Sequence, residues 1–436
     1  MRAVLTNLGS SGDIQPLLAL AVELRRHNHR PVLALAPYFA RYVEKLGLEF
    51  IPVGPDLNYP ELQRRETTAV MRGVNHLEMM PGSLDILDSM LPQLFSDLSD
   101  ACRDADVLIS GQLQMASRMI HELTDIPFVS IHTNHFGGKQ PPNVSEAVAS
   151  IINPFRTQFG LGPVCDPVHT DANSPQLALY AMSRYFRPPA PDWPDHYHVT
   201  GFFFMGEQTW EADASLVRFL NQGPPPVIIT FSSVAHDDPH QLTKLLLKAI
   251  QIAGCRAIIQ RGWSGLGEGS MPPHVQVVDF VQHTWLFTRA RCVVHHGGPG
   301  TGAAAILAGV PSVIIPHVGD QPLWAELTRD LGCAGFVIPY KQLTAERLGA
   351  AIATTLATDL YYRNTAAMGE KIRAEQGVKR ARYLIEQLLD KVGLNQKDDS
   401  AMECQEQQEK IDRRKFYQQN RRAKRLGKSE PSSIEE

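Results

Sequence analysis

His295-His296-Gly297-Gly298-Pro299-Gly300-Thr301-Gly302-Ala303-Ala304-Ala305-Ile306-Leu307-Ala308-Gly309-Val310-Pro311 decides the reading of this chain. A buried apolar strand, Val293–His295, runs into a glycine-rich turn and then a short helix placed at Thr301–Ala308. Gly309 and Pro311 form an ordinary helix stop. Such a turn aims backbone N–H groups and a helix N-terminus at one point, which suits a diphosphate. Two imidazoles and the Thr301 hydroxyl stand beside it, and Thr301 can either cap the helix or donate to a phosphate oxygen. Nineteen residues beyond Thr301 comes Asp320-Gln321, a pair suited to hydrogen-bonding sugar hydroxyls. Together they read as a site for a sugar carried on a diphosphate.

Working outward, apolar runs of strand length alternate with helix-period segments. Ala3–Asn7 predicts a strand, and a helix follows from about Pro16 to His27. Strands at Pro31–Ala36, Glu49–Val53, Val107–Ser110 and Pro127–His132 come next, with helices at Tyr38–Leu46 and Gln112–Leu123. The pattern restarts after Gly223-Pro224-Pro225 with strands at Pro226–Phe231, Arg256–Gln260, Val275–Val278 and Ser312–Ile315, and a helix at Gln241–Ile252. This alternation predicts an α/β fold with two parallel sheets, each covered by helices. Residues 141–195, rich in Pro and Asn, read as an insertion facing the cleft between them.

The bulk numbers fit a two-domain enzyme. The chain has 436 residues, 43% hydrophobic and 20% charged, enough for two substantial cores. A net charge of −4 gives no global attraction to nucleic acid. Six scattered cysteines without a C-x-x-C pair read as reduced thiols, pointing to a cytoplasmic protein. No run approaches the roughly 18 apolar residues of a membrane span, and Met1–Asn7 lacks a secretory leader's apolar core. Asp104-Ala105-Asp106 has metal-binding spacing but reads as a solvated connection, so no metal and no cofactor are expected. Residues 395–436 lose apolar periodicity, and Lys410–Lys428 holds nine basic residues against one acidic residue, Asp412. That composition predicts a solvated, disordered tail or a basic helix touching anionic lipid.

The first turn, Gly9-Ser10-Ser11-Gly12-Asp13, is not G-x-G-x-x-G, and the second strand ends in Leu35-Ala36-Pro37 without a ribose-binding acid. A nicotinamide-type site is therefore not expected. Asp13 follows the carboxyl end of the first strand, where open α/β sheets place ligands. Helix capping is its other reading, although Pro16 favours Gln15 as the cap. His132, Asn134 and His135 follow a strand and either contact an acceptor or serve as turn residues. Residues 57–92, with Met71, Met79, Met80 and Met90, either line a greasy pocket or pack helices.

Val293–Thr301, Ala308-Gly309-Val310-Pro311 and Gly319-Asp320-Gln321-Pro322, with Gly9–Leu17, resemble the motifs of family 1 glycosyltransferases. The likeness is nearest to bacterial antibiotic glycosyltransferases and sterol glucosyltransferases, and it covers residues 1–390. It implies the GT-B fold: an acceptor domain at 1–205, a linker at 206–222 and a nucleotide-sugar domain at 223–375. A helix at 376–394 would cross back to the first domain, leaving the tail at 395–436. By the same resemblance Asp13 matches the catalytic base. His296, Gly298, Gly300 and Thr301 match the diphosphate turn, Asp320 and Gln321 the sugar pair, Val281 and Gln282 the nucleobase segment, and Ser233 the first turn of the donor domain. Two positions depart from the pattern: Ser110-Gly111 stands where histidine-based relatives keep an orienting aspartate, and Ser232 replaces a glycine of the donor turn.

The expected reaction is inverting, metal-independent transfer of a hexose from a UDP- or dTDP-sugar to a hydroxyl of a lipophilic acceptor such as a sterol or polyketide. Asp13 would take the hydroxyl proton, and the helix terminus beside it would favour its ionised form. The other readings are a nucleotide-sugar epimerase and a catalytically silent glycosyltransferase-like partner subunit. A monomer or homodimer is expected, with peripheral membrane contact through the tail.

Overall fold

A computed structural model of the protein describes residues 1–72, 76–133, 142–206, 212–279 and 281–398. Its strands form two all-parallel sheets. The first runs β1 (Arg2–Thr6), β2 (Arg30–Leu35), β3 (Glu49–Pro52), β4 (Val107–Gly111), β5 (Phe128–His132), β6 (Leu177–Tyr180) and β7 (Tyr197–Val199) along the chain, in spatial order 3-2-1-4-5-6-7. The second comprises β8 (Val227–Thr230), β9 (Ala257–Gln260), β10 (Val275–Val278), β11 (Cys292–His295), β12 (Ser312–Ile314) and β13 (Ala334–Val337), in order 10-9-8-11-12-13. Helices cover both faces, so the central strands read as unbroken apolar runs: β8 (Val-Ile-Ile-Thr) and β11 (Cys-Val-Val-His) are buried throughout.

Strand order reverses between β1 and β4 in the first sheet and between β8 and β11 in the second. Thr6 lies beside Ser110 and His295 beside Thr230 at these two seams. Loops leaving the carboxyl ends of strands at such a reversal diverge to opposite faces and open a crevice. The turns bearing Asp13, Ser233 and His296 follow β1, β8 and β11, so all three stand at crevices.

Several expectations are corrected. Residues 141–195 are no insertion: they hold the helix Pro142–Thr157 and β6, a full member of the sheet between β5 and β7. Their Pro and Asn content hid a four-residue strand. The first helix spans Ser11–Arg26, starting five residues before Pro16, which the helix tolerates near its N-terminus. The segment at 206–222 is not a bare linker. Its helix Ala214–Asn221 buries Leu216 and Phe219 against Ile228, Ile258 and Phe287 of the second domain. The last helix, Gly377–Asp398, runs past 394. Its Ala381 and Ile385 sit in the first domain's core with Leu17 and Leu20. Arg382 and Glu386 pair with each other, Arg382 also reaches Glu23, and Glu386 also reaches His29.

A further apolar cluster joins the domains. Tyr180, Phe186 and Phe202, from the first domain and the segment leaving it, pack with Ile306, Trp324 and Met368 of the second. The tail from 399 onward lies outside the described residues. No helix among the described residues is long and apolar enough to cross a membrane.

Candidate functional site

A cavity of about 590 Å³ opens between the domains. Ser10–Asp13, Tyr42 and Gln63 line it from the first domain. Ser233, Trp263, Gln282, His296, Gly298, Gly300, Thr301, Asp320 and Gln321 line it from the second. Contacts span the cleft elsewhere: Tyr38 packs edge-on against Trp263 at 5.9 Å, Thr68 Oγ1 donates to Asp237 at 2.5 Å, and Arg72 pairs with Asp237 at 3.4 Å.

Asp13 sits in the first turn of the helix Ser11–Arg26. The cap is Ser10, not Gln15: its hydroxyl accepts from Gly12 N–H, and Asp13 Oδ2 accepts from Ser10 N–H at 2.8 Å and from the Ser10 hydroxyl at 3.0 Å. This capping box fixes the carboxylate at the helix start. Gly9 makes room for it. Its φ is +117°, and a Cβ there would lie 2.5 Å from Asp13 Oδ2. Capping and contact with the cavity are therefore joint properties of one side chain. The electrostatics differ from the sequence expectation. Desolvation raises the Asp13 carboxyl to about 6; the bonds from Ser10 oppose the rise and the Asp320 charge adds to it. Burial outweighs the favourable hydrogen bonds because protein surrounds the carboxylate on the cavity wall. At neutral pH the group is still mostly ionised, and it is a stronger base than an ordinary aspartate.

The second domain supplies the opposite wall. The helix after β11 runs Pro299–Leu307, two residues earlier than expected, with Gly298 at its N-cap and no side-chain cap bond. Thr301 is thus the third helical residue, and its hydroxyl is not a cap. The first-turn N–H groups of Gly300 and Thr301, both on the cavity wall, are left to a ligand or to water. His296 is buried, and burial, with His283 and His236 nearby, depresses its imidazole to about 3. It is a neutral ring with one N–H to give. A Cβ on Gly298 would fall 2.3 Å from His296 Nε2, so the bare glycine lets the ring lie over the turn. His295 points elsewhere: it is 1% exposed, and its Nδ1 accepts from Gly297 N–H at 3.1 Å, closing the turn.

Asp320 and Gln321 begin the helix Gln321–Asp330. Gln321 Oε1 accepts the backbone N–H groups of His317 and Val318, so its carbonyl holds the loop and its amide NH₂ is what it can offer a ligand. Ser232, the departure in the donor turn, has φ +51°, the left-handed conformation a glycine adopts without strain. Its carbonyl accepts Trp263 N–H at 2.9 Å, tying the turns after β8 and β9 together.

Two expected residues do not join the cavity. The Val281 side chain is 3% exposed in the core, and its carbonyl accepts from Gln260 Nε2 at 3.0 Å. That bond orients Gln260, whose Oε1 meets His283 Nε2 at 3.0 Å, and both Gln260 and His283 line the cavity. His132 ends the interior strand β5 and is buried, bonded to Gln112 Oε1 through Nδ1 and stacked on Tyr180 at 4.6 Å. Desolvation holds it at about 3, so it acts as a packed neutral ring. Asn134 and His135 lie outside the described residues. So do the side chains of Met71, Met79 and Met80, whereas Met90 packs on a core cluster. The sequence reading missed Trp263, Gln260 and His283. Trp263 follows β9, and its place beyond a strand's carboxyl end was the available signal. Tyr42 and Gln63, on helices, carried none. Among the described residues, no group of three or more His, Cys, Asp or Glu is placed to hold a metal ion.

Residues 3–139 match the glycosyltransferase family 28 N-terminal domain, and residues 252–379 match the erythromycin biosynthesis protein CIII-like C-terminal domain. The chain is similar to sterol 3-beta-glucosyltransferases of Leptosphaeria maculans and Arabidopsis thaliana, at 29% identity each over 89% and 87% of its length. It spans 29% of the fungal relative and 64% of the plant one. Its fold is shared with the glycosyltransferase VinC, solved in complex with dTDP, at a TM-score of 0.68 and 19% identity, covering 90% of this chain and all of that one. Both domains are matched in order, and the two-sheet architecture is the GT-B fold of the solved glycosyltransferases that the chain resembles.

Proposed function

We propose that the protein transfers a hexose from a UDP- or dTDP-sugar to the hydroxyl of a lipophilic acceptor, with inversion at the anomeric carbon and without a metal ion. The observation that carries this reading is one cavity walled by Asp13 on one domain and by the uncapped helix start at Gly300-Thr301 on the other. As the bond to the leaving diphosphate breaks, negative charge develops there. Helix N–H groups and the neutral His296 N–H are donors suited to that charge, in place of a cation. Asp13, ionised at neutral pH, takes the proton of the acceptor hydroxyl as its oxygen attacks from the far side. A base and a leaving-group site on facing walls suit in-line displacement, hence inversion. The activity for which the similar sterol 3-beta-glucosyltransferases are named makes a 3β-hydroxysterol the first acceptor to test.

The test pairs a product assay with one substitution. Incubation with UDP-glucose or dTDP-glucose and a sterol, read by mass spectrometry and by NMR of the anomeric proton, should yield the β-glycoside. Gly300→Ala is the sharp variant because nothing lies within 4 Å of a Cβ there. The fold should keep or gain stability, while nucleotide affinity drops about tenfold from the methyl's intrusion. Unchanged nucleotide affinity would place the diphosphate elsewhere. An α-glycoside product would overturn the inverting mechanism.

A further inference from the structure

Asp320 occupies the N-cap position of the helix Gln321–Asp330, and aspartate is among the residues that most often cap a helix through the side chain. Here the side chain makes no cap bond. Its Oδ2 instead accepts the indole N–H of Trp324, one turn further on, at 2.9 Å. Trp324 itself cannot turn freely. It is 2% exposed and wedged in the apolar cluster that joins the domains, with ring centroids 5.5 Å from Phe186 and 6.3 Å from Phe202.

We infer that Trp324 is a positioning residue for the hexose subsite: its indole N–H, held by the interdomain core, anchors one oxygen of Asp320 and so sets the direction in which the carboxylate meets sugar hydroxyls. This rests on the donor-site reading of the cavity. A planar carboxylate with one oxygen fixed presents the other in a defined direction, and hydroxyl epimers differ in whether they meet it. The assignment concerns the orientation of the sugar and leaves the diphosphate turn untouched, since Gly298–Thr301 take no support from Trp324 among the hydrogen bonds described.

Trp324→Phe removes the N–H and keeps most of the packing. The full-length chain, wild type and variant, is titrated calorimetrically with UDP and with UDP-glucose, and transfer is measured with UDP-glucose and its 4-epimer UDP-galactose. The expected result is UDP affinity within about twofold of wild type and a loss of about tenfold in kcat/KM for the preferred hexose. The ratio between the two epimers should shrink by a similar factor. Asp320→Asn should show the same pattern, and the double variant should be no worse than Asp320→Asn alone. Full epimer discrimination in Trp324→Phe, or an equal loss of UDP and UDP-glucose affinity, overturns the assignment. If that variant does not fold, the Asp320→Asn arm and the ¹⁵N signal of the Trp324 indole in the wild-type chain decide. That signal should shift on adding UDP-glucose to the UDP-bound protein, and an unmoved signal overturns the inference. A wild-type chain that binds no nucleoside diphosphate overturns the donor-site reading itself, and this assignment with it.

Discussion

Replacing Asp13 by asparagine should make the protein more stable and inactive at once. In the folded protein desolvation moves the carboxyl from its ordinary 3.8 to about 6. At about 1.36 kcal/mol per pH unit, the ionised form is disfavoured by about 3 kcal/mol relative to the unfolded chain. The sign follows from the direction of the shift. A carboxyl raised on folding adds no penalty below pH 3.8, an increasing one between 3.8 and 6, and the full one above 6. Asparagine is never charged and escapes it. Its side-chain oxygen still accepts from Ser10 N–H, but losing the charge weakens the paired bonds that Oδ2 receives from Ser10, by about 1 kcal/mol. Asp13→Asn should therefore gain about 1–2 kcal/mol near pH 8, or about 3–6 °C in the melting of a domain of this size. The gain should shrink by about 1.5 kcal/mol by pH 5, where wild-type Asp13 is largely protonated in the folded state. Paired thermal melts of the two proteins at both pH values isolate Asp13 together with its coupling to Asp320, because the remaining titrations are common to both. An Asp13→Asn melting point at or below wild type near pH 8, or a gap that widens toward pH 5, refutes the reasoning.

The same carboxyl sets the acid limb of the rate. With Asp13 as base, kcat/KM should fall below about pH 6, and Asp320→Asn should move the midpoint of that limb downward because the opposing Asp320 charge contributes to the rise; a pH–rate profile with an unmoved midpoint excludes the coupling. Gly9→Ala combines a φ of +117° with a Cβ 2.5 Å from Asp13 Oδ2. It should cost about 2 kcal/mol, seen as a lower Tm, and reduce transfer far more than nucleotide affinity. Ser232→Gly relieves a left-handed backbone at φ +51°, worth about 1 kcal/mol before the greater freedom of the unfolded glycine offsets part of it. A Tm raised by up to about 2 °C is expected, and a fall of several degrees would show that the Ser232 side chain stabilises the donor turn.

What was legible in the sequence follows from the range of the forces involved. β1, β2, β8, β9 and β11 were readable because strands buried on both faces must be apolar throughout, and that demand is written locally. The turn before the helix Pro299–Leu307 was readable for a similar reason: an uncapped helix start needs small residues and a proline at fixed offsets. β6 was missed because four apolar residues in a Pro- and Asn-rich stretch carry no period, and only pairing with β5 and β7 makes them a strand. Val281 was misplaced by one neighbour. The segment does reach the cavity, but alternate residues on an extended backbone face opposite ways, so Gln282 lines it and Val281 fills the core. His132 was misplaced because a histidine at a strand's end looks the same in sequence whether it faces a ligand or, as here, a tyrosine ring.

The perturbed basicity of Asp13 lay beyond any local reading. The sequence shows an aspartate at a helix start, where the dipole and the Ser10 donors pull its carboxyl down. The opposing effects come from elsewhere: desolvation by surrounding protein, and Asp320, 307 positions later, whose direction is held by Trp324 against rings of the other domain. Desolvation wins because the hydrogen bonds reach one oxygen whereas the missing water affects the whole carboxylate. Part of that rise, the Asp320 charge, reaches Asp13 only across the cleft. Opening the cleft should return Asp13 toward an ordinary aspartate, so the base is strongest when the two walls are together.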